Sequence, residues 1–357
     1  MAYRLLSLTA ISGEFPTDQL NRLPGSPYYL ESVVTALKKD GLLRTYYRDK
    51  LRGYRLGPRA KATLLESRPD RFASYLTGDT DTNRLKCEID RRLRLHRLAE
   101  TYVTMDNAGV CVYRDEKPAI FAPEGYAGGR IVYPAFFSSR EVKEMGIDTT
   151  QVRSSRFAGV LLAPTGIFVT YNSSAALMKW RCKSEMRVKA LMWSVLCQQR
   201  LAGQYRAEDV HGLVLGDSME LAYQMITSTG GAKHDYFMLD GSYDHFYFLT
   251  NNHQGEVILA LLCDPLKTAE LNRILSQGLI AGNTGKAIEQ DAAEQDGTPV
   301  LFGYSCDLPR ITRFSTSLDL MERPGTLICF DFQADVLRRY CGSWVRFQTI
   351  DFTKFEG

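Results

Sequence analysis

The sequence predicts a chain of α+β to α/β class in two parts: an N-terminal winged helix-turn-helix and a larger mixed α/β body. Three observations predict it. Charge is unevenly placed, since residues 1–100 hold 19 Lys and Arg against 12 Asp and Glu, and the remainder 25 against 29. Residues 1–67 read as three short amphipathic helices followed by a two-stranded basic hairpin. Beyond Gly109, short apolar strands alternate with helical segments, as in an α/β layer structure.

Length and composition narrow the function classes. At 357 residues, 45% hydrophobic and 24% charged, the chain can bury an ordinary globular core. No apolar run reaches the roughly 18 residues of a membrane helix, and the first residues lack a signal-peptide core. A cytoplasmic protein with no membrane partner is expected. The 8 cysteines are scattered without a C-x-x-C pair, so they read as reduced, small hydrophobes rather than a zinc or disulfide framework. No cofactor is expected.

Element by element, Leu5, Leu8 and Ile11 space a first helix over 3–12, stopped by Gly13. A second helix is expected from Pro16 to Leu23 and a third from about Pro27, capped by Ser26, to Asp40. Leu30, Val33, Val34 and Leu37 form the third helix's apolar stripe, and Gly41 follows it. Residues 42–48 read as a strand, 49–53 as a turn and 54–57 as the returning strand, with a further helix over 59–66. Between Lys38 and Lys61 stand nine basic residues and two acidic ones. A third helix laid in the major groove would present Tyr28, Tyr29, Ser32 and Thr35 to bases. Lys38, Lys39, Arg44, Arg48, Lys50, Arg52 and Arg55 would meet phosphates. Duplex DNA is therefore the expected partner.

The chain then divides at 1–67, 68–106, 107–203 and 204–357: winged helix, linker with connecting helix, nuclease-like α/β region and second α/β region. The connecting helix runs from Thr82 to about Met105, striped by Leu85, Ile89, Leu93, Leu98 and Tyr102, with Arg91, Arg92, Arg94 and Arg97 around His96. In the body, strands are expected at 110–113, 157–162, 167–171, 211–216, 235–239, 245–250, 256–263, 325–332 and 345–352. Helices are expected at 138–145, 175–201, 218–226, 268–279 and 334–340.

The strand–turn–strand–helix order over 157–201 is that of a restriction-type nuclease core, whose acids hold Mg²⁺ on the two strands. Ser155-Arg-Phe-Ala-Gly and Phe168-Val-Thr-Tyr-Asn stand at those places without an acid, which predicts an inactive copy and no catalytic or metal-ligating residue. Glu141-Val-Lys143 falls on a capped helix instead. Residues 278–287 resemble a phosphate loop, but Ile280 and Ala287 occupy positions that need Gly and Ser or Thr. His234, Asp235, Asp240, Asp244, His245 and His253 fall close in sequence, though 240–244 also reads as a polar turn.

Three segments carry a resemblance: Leu37-Lys-Lys-Asp-Gly-Leu-Leu-Arg, the wing exit Gly53-Tyr-Arg-Leu-Gly-Pro-Arg-Ala-Lys, and Arg156-Phe-Ala-Gly-Val-Leu with Phe168-Val-Thr-Tyr-Asn. Over residues 3–200 the chain resembles the replication-relaxation family, winged-helix proteins of plasmids and integrative conjugative elements with a restriction-endonuclease-like region. The resemblance implies a non-enzymatic, DNA-binding accessory of a bacterial mobile genetic element, acting in replication, conjugative transfer or its transcriptional control. Relaxase, replication or transfer proteins and a second copy of the chain are the further partners it implies. Two alternatives stand beside it. One is a Mg²⁺-dependent nuclease using acids such as Asp235, Asp240 or Asp244. The other is a ligand-responsive winged-helix regulator with a pocket among the aromatics of 236–248.

Overall fold

The computed structural model describes residues 1–78, 88–126, 128–146, 152, 155–230, 236–282 and 288–356. They divide into two units, Met1–Ile120 and Phe121–Gly357. Both mix helices with sheets, and none of the three sheets closes into a barrel. No helix among the described residues is long and apolar enough to cross a membrane.

In the first unit, α1 (Ala2–Ser12) buries every residue from Leu5 to Ser12 and ends at Gly13, whose φ of 87° suits glycine. The expected second helix starts late. Phe15 and Pro16 form a short strand, β1, and only Thr17–Arg22 turns into a 3₁₀ helix. Pro16 has extended backbone, with ψ 137°, so helix geometry begins after it. Helix α2 (Pro27–Lys39) has Ser26 as its cap and Pro at its start. Strands β2 (Leu43–Arg48) and β3 (Leu51–Leu56) form a tighter hairpin than expected. Asp49 and Lys50 alone make the turn, with φ of 52° and 62°, the positive pair a two-residue type I′ turn requires. The sheet order is β1-β3-β2, all antiparallel.

The described parts of the expected linker and connecting helix, 68–78 and 88–106, are helical elements of the first unit. Helices α3 (Pro58–Ser67), α4 (Pro69–Leu76) and α5 (Ile89–Asn107) all belong to the first unit. Helix α5 is bound to its start: Arg4 Nε donates to Asp106 Oδ2 (2.6 Å) and Arg22 Nη2 to Thr104 Oγ1 (2.7 Å). The expected helix start at Thr82, and Leu85 with it, lie outside the described residues. Residues 110–113 form no strand.

The second unit holds two sheets. The first has the order β4-β5-β6-β7-β8. Strands β4 (Ala135–Ser138), β5 (Gly159–Ala163) and β6 (Gly166–Ser174) are antiparallel; β7 (Val210–Gly216) and β8 (Phe246–Thr250) continue parallel to β6. The boundary expected at 203/204 therefore falls inside one sheet. Helix α6 (Ser139–Val142) follows β4 and holds Glu141 in a capping box with Ser138. Helix α7 (Cys182–Met192) starts later than expected and continues in π geometry over Trp193–Arg200. Helix α8 (Met219–Thr227) is as expected.

Residues 256–263 are helix, not strand. Helix α9 (His253–Cys263) is capped by Asn252, whose side chain accepts from Gly255 N. Its apolar run is nearly continuous, a pattern that periodicity cannot assign. A Cβ at Gly255 would sit 1.9 Å from the Thr250 carbonyl, so only glycine lets the helix leave β8 this closely. Of the strand expected at 235–239, Asp235 lies outside the described residues, and among 236–239 only Tyr236 makes a bridge, to Lys179.

Helix α10 (Pro265–Leu275) leads to the second sheet, of order β13-β12-β11-β10-β9. It contains β9 (Ile280–Ala281), β10 (Ala292–Ala293), β11 (Pro299–Phe302), β12 (Gly325–Phe330) and β13 (Val345–Ile350). The last three are parallel, joined by α11 (Leu308–Met321) and α12 (Asp331–Tyr340), with α13 (Phe352–Glu356) after them. Leu301, Phe314, Leu327 and Leu337 fill the space between these elements. Among the described residues seven cysteines are free. Burial pushes the Cys263 thiol up to about 12, which keeps it protonated and unreactive.

Candidate nucleic-acid interface

Leu30, Val34 and Leu37 are the buried positions of α2 and fix which face it shows to solvent. On the open face lie Tyr28 (84% exposed), Tyr29 (47% exposed), Ser32, Thr35, Lys38 and Lys39. Val33, expected in the core stripe, is half-buried. Ser32 Oγ donates to the Tyr29 carbonyl (2.7 Å), a local bond that a base or phosphate would have to replace. Lys38 Nζ lies 5.1 Å from the Tyr54 ring centre, which ties the end of α2 to β3. Burial, with the Arg52 charge beside it, lowers the Lys38 pKa.

The hairpin continues the cationic surface. Arg44, Arg48, Lys50 and Arg52 are all exposed, and Tyr47, 66% exposed, stands opposite Arg52 in the ladder. Arg48 Nε comes within 3.5 Å of Asp49 Oδ2, a solvent-exposed pair of small energetic weight.

Arg55 does not belong to this surface. It is buried and turned inward: its Nε and Nη2 donate to Glu14 Oε2 at 2.9 and 2.5 Å. Glu14 itself is fully buried, and sealing a carboxylate away from water demands cationic partners. The other partners come from α5. Arg92 Nη2 donates to Glu14 Oε1 (2.5 Å), and His96 Nε2 lies 2.9 Å from the same oxygen. Hydrogen bonds from His96, Arg92 and Arg55 outweigh burial and hold the Glu14 carboxyl at about 2.

Arg92 does more than neutralise. Its Nη1 donates to the Arg48 carbonyl (2.8 Å) and its Nη2 to the Leu51 carbonyl (3.0 Å). These two carbonyls flank the Asp49–Lys50 turn, so one buried guanidinium grips the hairpin on both sides of its tip. Arg55 and Arg92 also lie 3.9 and 4.6 Å from the Tyr46 ring centre. The exposed cations thus sit on a hairpin with a fixed base.

Glu14, Arg92 and His96 were not legible as a cluster. The one available signal is the i, i+4 pair Arg92 and His96 on a helix. Gly53 is part of the same construction, since a Cβ there would lie 2.5 Å from Glu14 Oε1. Gly53→Ala is expected to destabilise the first unit by roughly 1–3 kcal/mol through this overpacking. Hydrogen exchange of the hairpin amides would read it, and unchanged exchange would refute it.

In the second unit, the stretches set against nuclease acids fall just before β5, which begins at Gly159, and on β6, and a carboxylate reaches them from elsewhere. Glu185 on α7, fully buried, accepts from Arg156 N (3.0 Å) and from the Tyr171 hydroxyl (3.1 Å). Burial raises its pKa. Asp240 accepts from Trp180 Nε1 (2.8 Å) and Ser242 N (2.9 Å), while Asp244 is exposed, 3.8 Å from Lys189 Nζ. His245 Nδ1 lies 2.6 Å from Asp307 Oδ2, and His253 pairs with Glu356. His211, not singled out in sequence, packs edge-on to His245, and burial lowers its pKa to about 4. Among the described residues no three His, Cys, Asp or Glu side chains come together to hold a metal ion. His234, Asp235 and residues 283–287 of the loop lie outside the described residues. A cavity of about 190 Å³ is lined by Trp180, Phe237, Asp240, Tyr243, Phe246 and Arg313.

No family model, curated protein or solved structure matches the chain.

Proposed function

We propose that the first unit is a winged helix-turn-helix that binds duplex DNA. On this reading α2 is the helix that enters the major groove, and the β2–β3 hairpin is the wing that follows the adjoining backbone. The order helix, short strand, 3₁₀ turn, helix and hairpin, with β1 paired to β3, supports this reading. The observation that carries it is the set of exposed cations on neighbouring elements, Lys38 and Lys39 at the end of α2 and Arg44, Arg48, Lys50 and Arg52 on the hairpin. Arg55 is withdrawn from the binding set, since it is committed to Glu14.

On the resemblance to the replication-relaxation family, this activity would belong to a non-enzymatic cytoplasmic accessory of a mobile element. The second unit would then be a restriction-endonuclease-like core in which β5 and β6 have lost their acids, available for docking replication or transfer proteins. A ligand-responsive regulator is the second reading, and the small aromatic-lined cavity at Trp180 and Phe246 favours it.

Salt dependence of duplex binding, followed by fluorescence anisotropy, tests the first reading. About five neutralised phosphates give a log–log slope near −4 to −5. Absence of binding, or binding indifferent to salt, would refute it.

A further inference from the structure

We propose that the cleft between α10 and α13 binds a free single-chain amphiphile with an anionic head, of which a long-chain carboxylate is the simplest. The cleft measures about 700 Å³ and is walled by Leu261, Leu271, Leu275, Ile350 and Phe355. That volume is within the usual range for small-molecule sites, about 300–1,000 Å³. It opens beside Ile350 and Asp351, where parallel β13 ends. Leu266 and Ile274 stand at its mouth, 81% and 47% exposed, so apolar surface remains for a chain to cover.

The rim selects the head group. Glu270 is held by Arg273 through two bonds of 2.8 and 2.7 Å. Asp351 accepts from Lys354 N (3.1 Å) and pairs with its Nζ (3.3 Å). Lys267 has no carboxylate partner among the described residues. The cleft therefore presents an apolar floor with one unmatched ammonium at its edge, the complement of an amphiphilic anion. The site lies wholly in the second unit and does not depend on DNA binding.

Calorimetry on the full chain with octanoate, decanoate and dodecanoate, all below micelle formation, tests the proposal. One saturable site is expected, tightening roughly fourfold per added methylene until the cleft is filled. Dodecanoate should bind roughly fivefold tighter than dodecyltrimethylammonium, a modest margin because Lys267 is exposed. Ile274→Glu should abolish binding, and Lys267→Glu should remove the head-group preference. Both positions are exposed, and circular dichroism checks that the variants fold. Four results would overturn the proposal: no saturable binding; binding unaffected by Ile274→Glu; equal affinity for the two head groups; or a dimer in sedimentation that Ile274→Glu dissociates and dodecanoate does not. Recovery only with anionic vesicles, without binding of free dodecanoate, would assign the cleft to a membrane surface and overturn it as well.

Discussion

Joint replacement of Arg48, Lys50 and Arg52 by Glu is expected to weaken duplex binding at least 100-fold near 0.1 M salt. It should also flatten the log–log salt slope by about three. The three side chains are exposed on the hairpin. Their backbone is held by Arg92 through the Arg48 and Leu51 carbonyls, which side-chain replacement leaves in place. The effect should therefore fall on binding and not on stability. A control separates local contact from overall charge. Arg187, Arg338 and Arg346 are also exposed, but lie in the second unit. Reversing those three changes net charge equally and should leave the slope within about one of the wild type. If both triple variants lose affinity alike, the protein is a diffuse polycation and the hairpin is not the contact.

The parts of this interface differ in how openly the sequence displays them. Leu30, Val34 and Leu37 announce α2 by spacing alone, and Ser26 and Gly41 bracket it, because helix signals are local. The hairpin is equally local, although its turn is shorter than expected. The orientation of a charge is not local. Arg55 and Arg52 look alike in a row of basic residues, yet one is buried and one exposed. The difference is a carboxylate 41 positions before Arg55, and Arg92 reaches the same carboxylate across 78 positions. No short-range pattern encodes such pairings. The segment 256–263 fails for another reason. A nearly unbroken apolar run satisfies both strand and helix, and the deciding contacts are the Asn252 cap and the close approach of Gly255 to Thr250. The sheet joining β6 to β7 across residue 203 is likewise invisible, because parallel pairing through a long crossover leaves no mark in composition.

Glu14→Gln should cost the first unit about 3–5 kcal/mol, the penalty for leaving buried cations without their counter-charge. The size follows from geometry. Arg92 is fully buried and Arg55 nearly so, and both direct their donors at one carboxylate. A neutral amide keeps one acceptor and removes the charge. The three tryptophans, at 180, 193 and 344, all lie in the second unit, so their fluorescence would miss the change. Hydrogen exchange of the β2 and β3 amides reads it directly. Because Arg92 also grips the turn, exchange should accelerate most around Asp49 and Lys50, and DNA affinity should fall with it. Adding Arg92→Met to Glu14→Gln should restore part of the lost stability, since the second substitution removes one stranded charge, but not the DNA affinity, because the grip on the hairpin is gone. The same carboxylate sets an acid limit. Its folded pKa, near 2, lies below the ordinary value of 4.5. Its contribution is therefore complete above about pH 4.5 and is lost as pH falls towards 2, on the order of 3 kcal/mol in all. In Glu14→Gln this part of the acid sensitivity should vanish. A variant that exchanges like the wild type, or keeps its full acid sensitivity, would show that the cations are neutralised by something other than Glu14.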